Sequence, residues 1–147
     1  MKIYLDACCL NRATDDHTQE RVRIEAEAVQ NIISLVRRGV VEWMSSPVLV
    51  LEISRNLDDS RRRIALALLR FATGTVSPTS ATRVRAAEIQ RLGFGSFDAL
   101  HLAVAEQGEV GVFLTTDDRL LRSARRCHSL LHLRVENPVS WYLEAQP

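Results

Sequence analysis

Four acidic residues stand directly beside strongly apolar segments, where an ionised side chain is costly to place. They are Asp6, Glu52, Asp98 and Asp118, and they adjoin the largely apolar runs 3–5, 48–53, 99–105 and 112–114. A buried carboxylate is tolerated only when it finds a cation or several hydrogen-bond donors. Four of them, spread over the whole length, therefore predict one acidic pocket that a bound metal ion neutralises.

The type of ligand indicates which metal and which chemistry to expect. Carboxylate oxygens without histidine or thiolate partners suit Mg²⁺ or Mn²⁺ rather than zinc. Such cations contact phosphate oxygens and activate water, and two of them about 3.5–4 Å apart stabilise both oxygens of an in-line displacement. Clustered acids also raise one another's pKa, so metal affinity is expected to rise with pH.

Simpler structural roles remain open for three of the acids. Asp98 could complement a helix dipole, and either Asp117 or Asp118 could cap the helix that follows. Asp6 could accept a hydrogen bond from the turn after its strand. Glu52 has no capping role in its apolar helical stretch, which favours one shared site over separate local roles.

Short apolar strands alternate with amphipathic helices along the chain. Strands are predicted over 2–6, 40–44, 112–116 and 131–135. Helices are predicted over 18–38, from 47, from 59 or 60, and over 80–92, 97–107, 118–126 and 138–144. Ser46 and Ser96 are the predicted N-caps of two of them, with Pro47 at a first helical position. This alternation favours a parallel sheet with helices on both faces, where sites lie at the carboxyl ends of the strands.

Length and composition are those of one folded domain spanning 1–147. The chain has 147 residues, of which 46% are hydrophobic and 25% charged. The net charge of +1 gives no overall attraction to nucleic acid, yet Lys2 is the only lysine among 19 basic residues. Arginine binds phosphate bidentately, but GC-rich coding would produce the same bias, so both explanations stay open.

The sequence also predicts a cytoplasmic protein. No apolar run is long enough to cross a membrane, and the acidic residue at position 6 does not suit a signal peptide. The three cysteines, Cys8, Cys9 and Cys127, form no C-x-x-C pair and leave an odd thiol, which favours a reducing compartment and argues against structural zinc.

Two further groups of residues have open interpretations. His101 follows Asp98 by three positions, and we expect a packed or hydrogen-bonded core histidine there rather than a ligand. The arginines within 61–63 and within 119–126 are either solvated surface or a patch that contacts RNA or a partner.

Several segments together resemble the PIN domain family over the whole chain. They are Ile3-Tyr4-Leu5-Asp6, Glu52 on its apolar helix, Phe97-Asp98-Ala99-Leu100-His101, Leu114-Thr115-Thr116-Asp117-Asp118 and Val135-Glu136-Asn137-Pro138. The resemblance implies an α/β protein, a three-layer α/β/α PIN-like domain with a short, mostly parallel central sheet. It also implies a Mg²⁺- or Mn²⁺-dependent ribonuclease, similar in size to VapC-like toxins, with a small antitoxin protein as partner. Such relatives pair as homodimers, and the long helix over 18–38 would offer apolar surface for this.

The resemblance assigns roles residue by residue. Asp6, Glu52, Asp98 and Asp118 match the family's metal-binding acids. Thr116 matches the small hydroxyl residue two positions before the last acid, which leaves Asp117 as the variable middle position and a helix cap. The family has Thr and then Asn or Ser after the first acid, whereas this chain has Ala7 and Cys8, and Asn11 is a candidate substitute.

These residues suit three functions to different degrees. The leading hypothesis is an endoribonuclease in which activated water attacks a phosphodiester and leaves 5′-phosphate and 3′-hydroxyl ends. Phosphoaspartyl transfer is disfavoured, because it needs a lysine near the aspartate and the only lysine is Lys2. A PIN-like module that binds RNA or protein without cutting stays open, because of the Ala7-Cys8 departure.

Overall fold

Five strands form one sheet at the centre of the protein, seen in a computed structural model that describes residues 1–145. In chain order they are β1 (Lys2–Leu5), β2 (Glu42–Ser45), β3 (Gly74–Thr75), β4 (Val112–Leu114) and β5 (Arg134–Glu136). Their spatial order is β3-β2-β1-β4-β5, and every pairing within the described residues is parallel. The predicted α/β class with a parallel central sheet is confirmed.

Eight α-helices connect and follow these strands within residues 1–145. They are α1 (Ala7–Asn11), α2 (Glu20–Arg37), α3 (Pro47–Ser54), α4 (Asp59–Leu68), α5 (Ser80–Arg91), α6 (Ser96–Gln107), α7 (Asp118–Arg126) and α8 (Pro138–Ala145). From β1 to β3 the chain moves towards one edge of the sheet, and from β3 to β5 it moves towards the other. Right-handed crossovers therefore place α1–α4 on one face and α5–α7 on the opposite face.

The two central strands are covered on both faces. Their residues Ile3, Tyr4, Leu5, Val112, Phe113 and Leu114 are all 0% exposed. This explains why both strands are continuous apolar runs rather than alternating patterns. The connections that follow β1 and β4 lead to opposite edges of the sheet. The crevice beyond the carboxyl ends of these two parallel strands is therefore the expected place for a site.

Several boundaries differ from the sequence-based prediction. The helix α1 and the two-residue strand β3 were not predicted, because both are too short to carry a periodic pattern. The strand predicted over 112–116 ends at Leu114, and the strand predicted over 131–135 lies at Arg134–Glu136. At the start of α6 the N-cap position is Gly95, which has no capping side chain, so the predicted cap at Ser96 was wrong.

The apolar side of the long helix α2 is buried in the core of the protein. Val29, Ile32, Ile33 and Val36 are buried in the same core cluster as the central strands. Most of the apolar stripe that the sequence offered for a dimer is therefore buried in the core, while Ile24 of the same helix stays 39% exposed. No helix within residues 1–145 combines the length and the apolar character that a membrane span requires.

Candidate active site

Asp6 lies immediately beyond the last residue of β1, in the crevice between the central strands. Its backbone N–H donates to the carbonyl oxygen of Leu114, which extends the pairing with β4 by one residue. Its Oδ1 accepts the Ala7 N–H at 2.9 Å and its Oδ2 accepts the Thr115 hydroxyl at 2.9 Å. The carboxylate therefore caps α1 and is held in one orientation from two sides, with only 5% of the residue exposed.

Burial perturbs the acidity of Asp6. Desolvation first, and then the nearby Cys8 and Glu52, raise the pKa of this carboxyl well above its ordinary value. The Thr115 hydrogen bond acts in the opposite direction but does not compensate. A group in this position keeps its charge only when a cation offsets the cost.

Glu52 and His101 reach the same crevice from α3 and α6. Oε2 of Glu52 lies 2.7 Å from Nε2 of His101, and the histidine is 0% exposed. One ligand atom each from Asp6, Glu52 and His101 lies within 4.8 Å of the others. The expectation of a hydrogen-bonded core histidine is confirmed, and the predicted proximity of Asp6 and Glu52 is found.

Asp98 belongs to the first turn of α6 and is half-buried. Burial, followed by the negative charges of Asp117 and Glu52, raises its pKa to about 6. The structure thus brings Asp98 into the electrostatic environment of the other acids, as the sequence led us to expect. Its carboxylate also lines a polar cavity of about 200 Å³ together with Asp117 and Arg119.

The segment after β4 places Thr115 and Asp117 at the site. Oγ1 of Thr115 donates to Asp6 and accepts the Asp117 N–H at 3.1 Å. Asp117 occupies the N-cap of α7, where its Oδ1 accepts the N–H groups of Arg119 and Leu120 at 2.9 and 3.3 Å. The predicted capping role of Asp117 is confirmed, and the same residue is the one that faces Asp98.

Asp118 does not join this cluster. Its carboxylate forms a bidentate ion pair with Arg21 of α2, at 2.7 and 2.8 Å, with 54% of the side chain exposed. The hydrogen bonds from Arg21 lower the pKa of Asp118, in contrast to the raised pKa of Asp98. Adjacent side chains at a helix start point in different directions, so of these two exposed residues Asp117 lines the cavity beside Asp98 whereas Asp118 pairs with Arg21.

Thr116 and Asn11 have other contacts. The carbonyl oxygen of Thr116 accepts from Nη2 of Arg21, and its N–H donates to Sγ of Cys8 at 3.3 Å. Asn11 ends α1, where its carbonyl oxygen accepts the N–H groups of the next turn. Within residues 1–145 neither side chain forms a hydrogen bond to the acids of the site, so Thr115 rather than Thr116 supplies the hydroxyl.

Cys8 fills the position where the sequence seemed to lack a polar group. Its Sγ lies 3.5 Å from Oδ2 of Asp6 and 3.3 Å from Oγ1 of Thr115. The thiol therefore joins the hydrogen bonds that orient Asp6, which a hydroxyl or an amide was expected to do. The position of Cys8, two residues after Asp6, could have indicated this role from the sequence. A cysteine in that place did not by itself suggest a hydrogen bond to Asp6.

The donor set fits a divalent cation with a preference for oxygen ligands. The carboxylates of Asp6 and Glu52 lie within 4.8 Å of each other, the charge of Glu52 contributes to the raised pKa of Asp98, and Asp117 lines a cavity with Asp98. No arginine or lysine hydrogen-bonds to the first three within the described part of the chain. Asp6 and Asp98, whose pKa values are raised, offer together with Glu52 the carboxylate oxygens that Mg²⁺ or Mn²⁺ prefers.

Comparisons with known proteins agree with this fold and site. The family model for the PIN domain matches residues 3–126. The structure is similar to that of VapBC2 from Rickettsia felis bound to a DNA fragment from their promoter, with a TM-score of 0.60 and 13% identity over 93% of this chain and 98% of that chain. It is also similar to FitAcB from Neisseria gonorrhoeae, with a TM-score of 0.58 and 18% identity over 92% and 97%.

Likeness at such low identity establishes the fold alone, and among curated protein sequences none matches this chain significantly. The family match covers most of the chain and includes β1 and β4, whose carboxyl ends border the site, together with Asp6, Glu52, Asp98 and Asp117. The chain therefore belongs to the PIN domain family.

Proposed function

We propose that this protein is a Mg²⁺- or Mn²⁺-dependent endoribonuclease that cleaves RNA with water and leaves 5′-phosphate and 3′-hydroxyl ends. The observation that carries the proposal is the convergence of Asp6, Glu52 and Asp98 without a protein cation at the carboxyl ends of β1 and β4. Membership of the PIN family supports nuclease chemistry at this place.

In this proposal Asp6, Glu52, Asp98 and Asp117 hold the cation. We choose Asp117 over Asp118, because Asp117 shares a cavity with Asp98 whereas Asp118 is paired with Arg21. When bound, a divalent cation lowers the pKa of water and offsets negative charge on phosphate oxygens. Thr115 and the Ala7 N–H orient Asp6 by donating to its two oxygens. Asp98, whose pKa is about 6, is mostly ionised at neutral pH and available as a ligand.

Exposed arginines of α7 support contact with an RNA backbone. Arg119, Arg122, Arg125 and Arg126 are exposed and form no ion pair within residues 1–145. Arg119 also lines the cavity beside Asp98 and Asp117. The cluster within 61–63 differs, because each of its arginines is paired with Asp15 or Asp59. Of the two predicted patches, the one on α7 is therefore the better candidate for phosphate contact.

The biological setting is part of the proposal. The similar structures carry the names VapBC2 and FitAcB, which supports a toxin with a small antitoxin partner, and a homodimeric state is proposed from the family resemblance alone. Strands from both ends of the sequence share one sheet, which supports a single domain over 1–147. A cytoplasmic location is also part of the proposal, and the three free cysteines suit a reducing compartment.

The test is cleavage of a labelled single-stranded or looped RNA by purified protein. We expect activity with Mg²⁺ or Mn²⁺, none in excess EDTA, and none for Asp6→Asn with either metal. Mapping of the product ends distinguishes hydrolysis with 5′-phosphate products from metal-independent cleavage. Undiminished cleavage in EDTA would refute the metal-dependent mechanism. RNA binding without cleavage at any metal concentration would instead favour a binding module.

A further inference from the structure

A buried chain of hydrogen bonds leads from the start of α3 to Glu52. Oγ of Ser46 accepts the Leu49 N–H at 3.1 Å, and Oη of Tyr4 lies 2.7 Å from Ser46 Oγ. The same Tyr4 oxygen lies 2.7 Å from Nδ1 of His101, whose Nε2 lies 2.7 Å from Oε2 of Glu52. Tyr4, Ser46 and His101 are each 0% exposed. Only the Glu52 end of this chain reaches the site.

The chemistry of these groups determines which partner donates in each hydrogen bond. An ionised carboxylate only accepts, so Nε2 of His101 carries a proton and donates it to Glu52. Nδ1 of the neutral ring then accepts from the Tyr4 hydroxyl, which keeps its proton because burial raises the pKa of Tyr4. Tyr4 in turn accepts from Ser46, and Ser46 accepts from the backbone of Leu49. Every member has a partner in this arrangement.

The opposite arrangement leaves a proton without an acceptor. If Nδ1 of His101 carried the proton, it would donate to Tyr4, and Tyr4 would donate to Ser46. The Ser46 hydroxyl would then have no acceptor, because its other neighbour, the Leu49 N–H, is a donor and no further partner exists within residues 1–145. An unsatisfied buried hydroxyl is unfavourable, and the imidazolium form meets the same obstacle. The chain thus selects the neutral ring with its proton on Nε2.

The ring is also held by packing. The Tyr4 and His101 rings meet edge-on with centroids 5.7 Å apart, and Phe97 lies 6.0 Å from His101 on the other side. Both nitrogens of His101 are occupied by Tyr4 and Glu52, so the histidine is not available as a ligand in this state. Its Nε2–H instead fixes one oxygen of Glu52. Oε1 of Glu52 has no hydrogen-bond partner within the described residues.

We propose that His101 is a positioning residue that orients the Glu52 carboxylate for cation binding, and that Tyr4 and Ser46 select the tautomer that allows this. The inference rests on the proposed function, since it takes Glu52 as one of the carboxylates that hold the cation. It assigns an indirect role in metal binding to Tyr4 and Ser46, two residues that do not contact the cation site.

The first test measures the tautomer of His101 without metal. Two-bond nitrogen–proton correlation spectra of the ¹⁵N-labelled protein at neutral pH report which ring nitrogen carries a proton. The His101 signals are identified by their loss in His101→Gln. We expect a proton on Nε2 alone. A proton on Nδ1, or on both nitrogens, would overturn the proposed direction of the chain.

The second test measures Mn²⁺ binding by calorimetry in the absence of RNA. His101→Gln keeps an N–H donor at about the reach of Nε2, whereas the shorter His101→Asn cannot contact Glu52. We expect His101→Asn to bind Mn²⁺ about 10–100-fold more weakly and His101→Gln to stay within about threefold of wild type. Leu102→Ala is the matched control, because it removes a fully buried side chain of the same helix outside the hydrogen-bond chain.

The outcomes separate this inference from the proposed function. Leu102→Ala should lower the melting temperature but leave Mn²⁺ affinity unchanged. Wild-type affinity in His101→Asn, or equal losses in His101→Asn and His101→Gln, would overturn the positioning role of the histidine. Wild-type protein that binds no Mn²⁺ would overturn the proposed function itself. The tautomer measurement tests the series of hydrogen bonds independently of metal.

Discussion

The raised pKa of Asp98 predicts that the metal-free protein loses stability as the pH rises. A carboxyl whose pKa is higher in the folded than in the unfolded state stabilises the fold at low pH, where both states are protonated. This contribution disappears as the pH rises through the folded-state pKa, because the unfolded chain then ionises more readily than the folded one. For Asp98 the relevant interval runs from 3.8, its ordinary pKa, to about 6.

The structure sets the size of the effect. A rise from 3.8 to about 6 corresponds to a ceiling of about 3 kcal/mol in the free energy of unfolding. Asp98 is only half-buried, so solvent screening reduces the contribution to about 1–2 kcal/mol. For a chain of this length, that corresponds to roughly 2–8 °C in melting temperature between about pH 4 and about pH 7.

The assay compares thermal melts of metal-free wild type and Asp98→Asn across this pH interval. Contributions from titrating groups distant from Asp98 occur in both proteins and cancel in the difference between their pH dependences, whereas Asp117 and Glu52 are coupled to Asp98 and their part belongs to the measured effect. Wild type should lose roughly 2–8 °C more than Asp98→Asn as the pH rises. Saturating Mn²⁺ should reverse the trend for wild type, because deprotonated carboxylates bind the cation.

Asp118→Asn is the matched control in the same assay. The Asp118 pKa is lowered by Arg21, so its contribution is present above the unfolded-state pKa and is lost only as the pH falls below that value. The pH dependence of Asp118→Asn should therefore parallel that of wild type over this interval. If Asp98→Asn also parallels wild type, the reasoning about the Asp98 environment is refuted.

Three further predictions concern the site and the assembly. Asp117→Asn should lower RNA turnover about a hundredfold or more at nearly unchanged melting temperature, since asparagine also caps well, while Asp118→Asn should keep most activity. The reverse pattern would restore the assignment of Asp118 as the ligand. Asp6→Asn should abolish cleavage yet raise the melting temperature in EDTA, because it replaces a buried acid whose ionisation is unfavourable without a cation, and a drop of many degrees would contradict this. Light scattering at micromolar concentration should give a dimeric mass, and a monomer would count against the proposed homodimer.

Local patterns in the sequence were sufficient to predict the fold class and most elements. Continuous apolar runs predicted the two central strands, since strands covered on both faces have no polar side. Ser46 followed by Pro47 predicted the start of α3, which the bond from the Leu49 N–H to Ser46 confirms. The elements that escaped prediction are too short to carry a pattern of their own: α1 packs against α2, α3 and α4, and β3 pairs with β2.

The sequence also determined which acids had to be explained, because a carboxylate beside an apolar run needs a partner wherever it lies. The family resemblance pointed to Asp118, yet one residue at a helix start changes the direction of a side chain completely, so local sequence is a weak basis for the choice between Asp117 and Asp118. That choice depends on Arg21, which lies 97 positions from Asp118 in the chain and reaches it only in the folded protein. The link from Ser46 through Tyr4 and His101 to Glu52 likewise joins three separate segments, so only the tertiary structure could establish it.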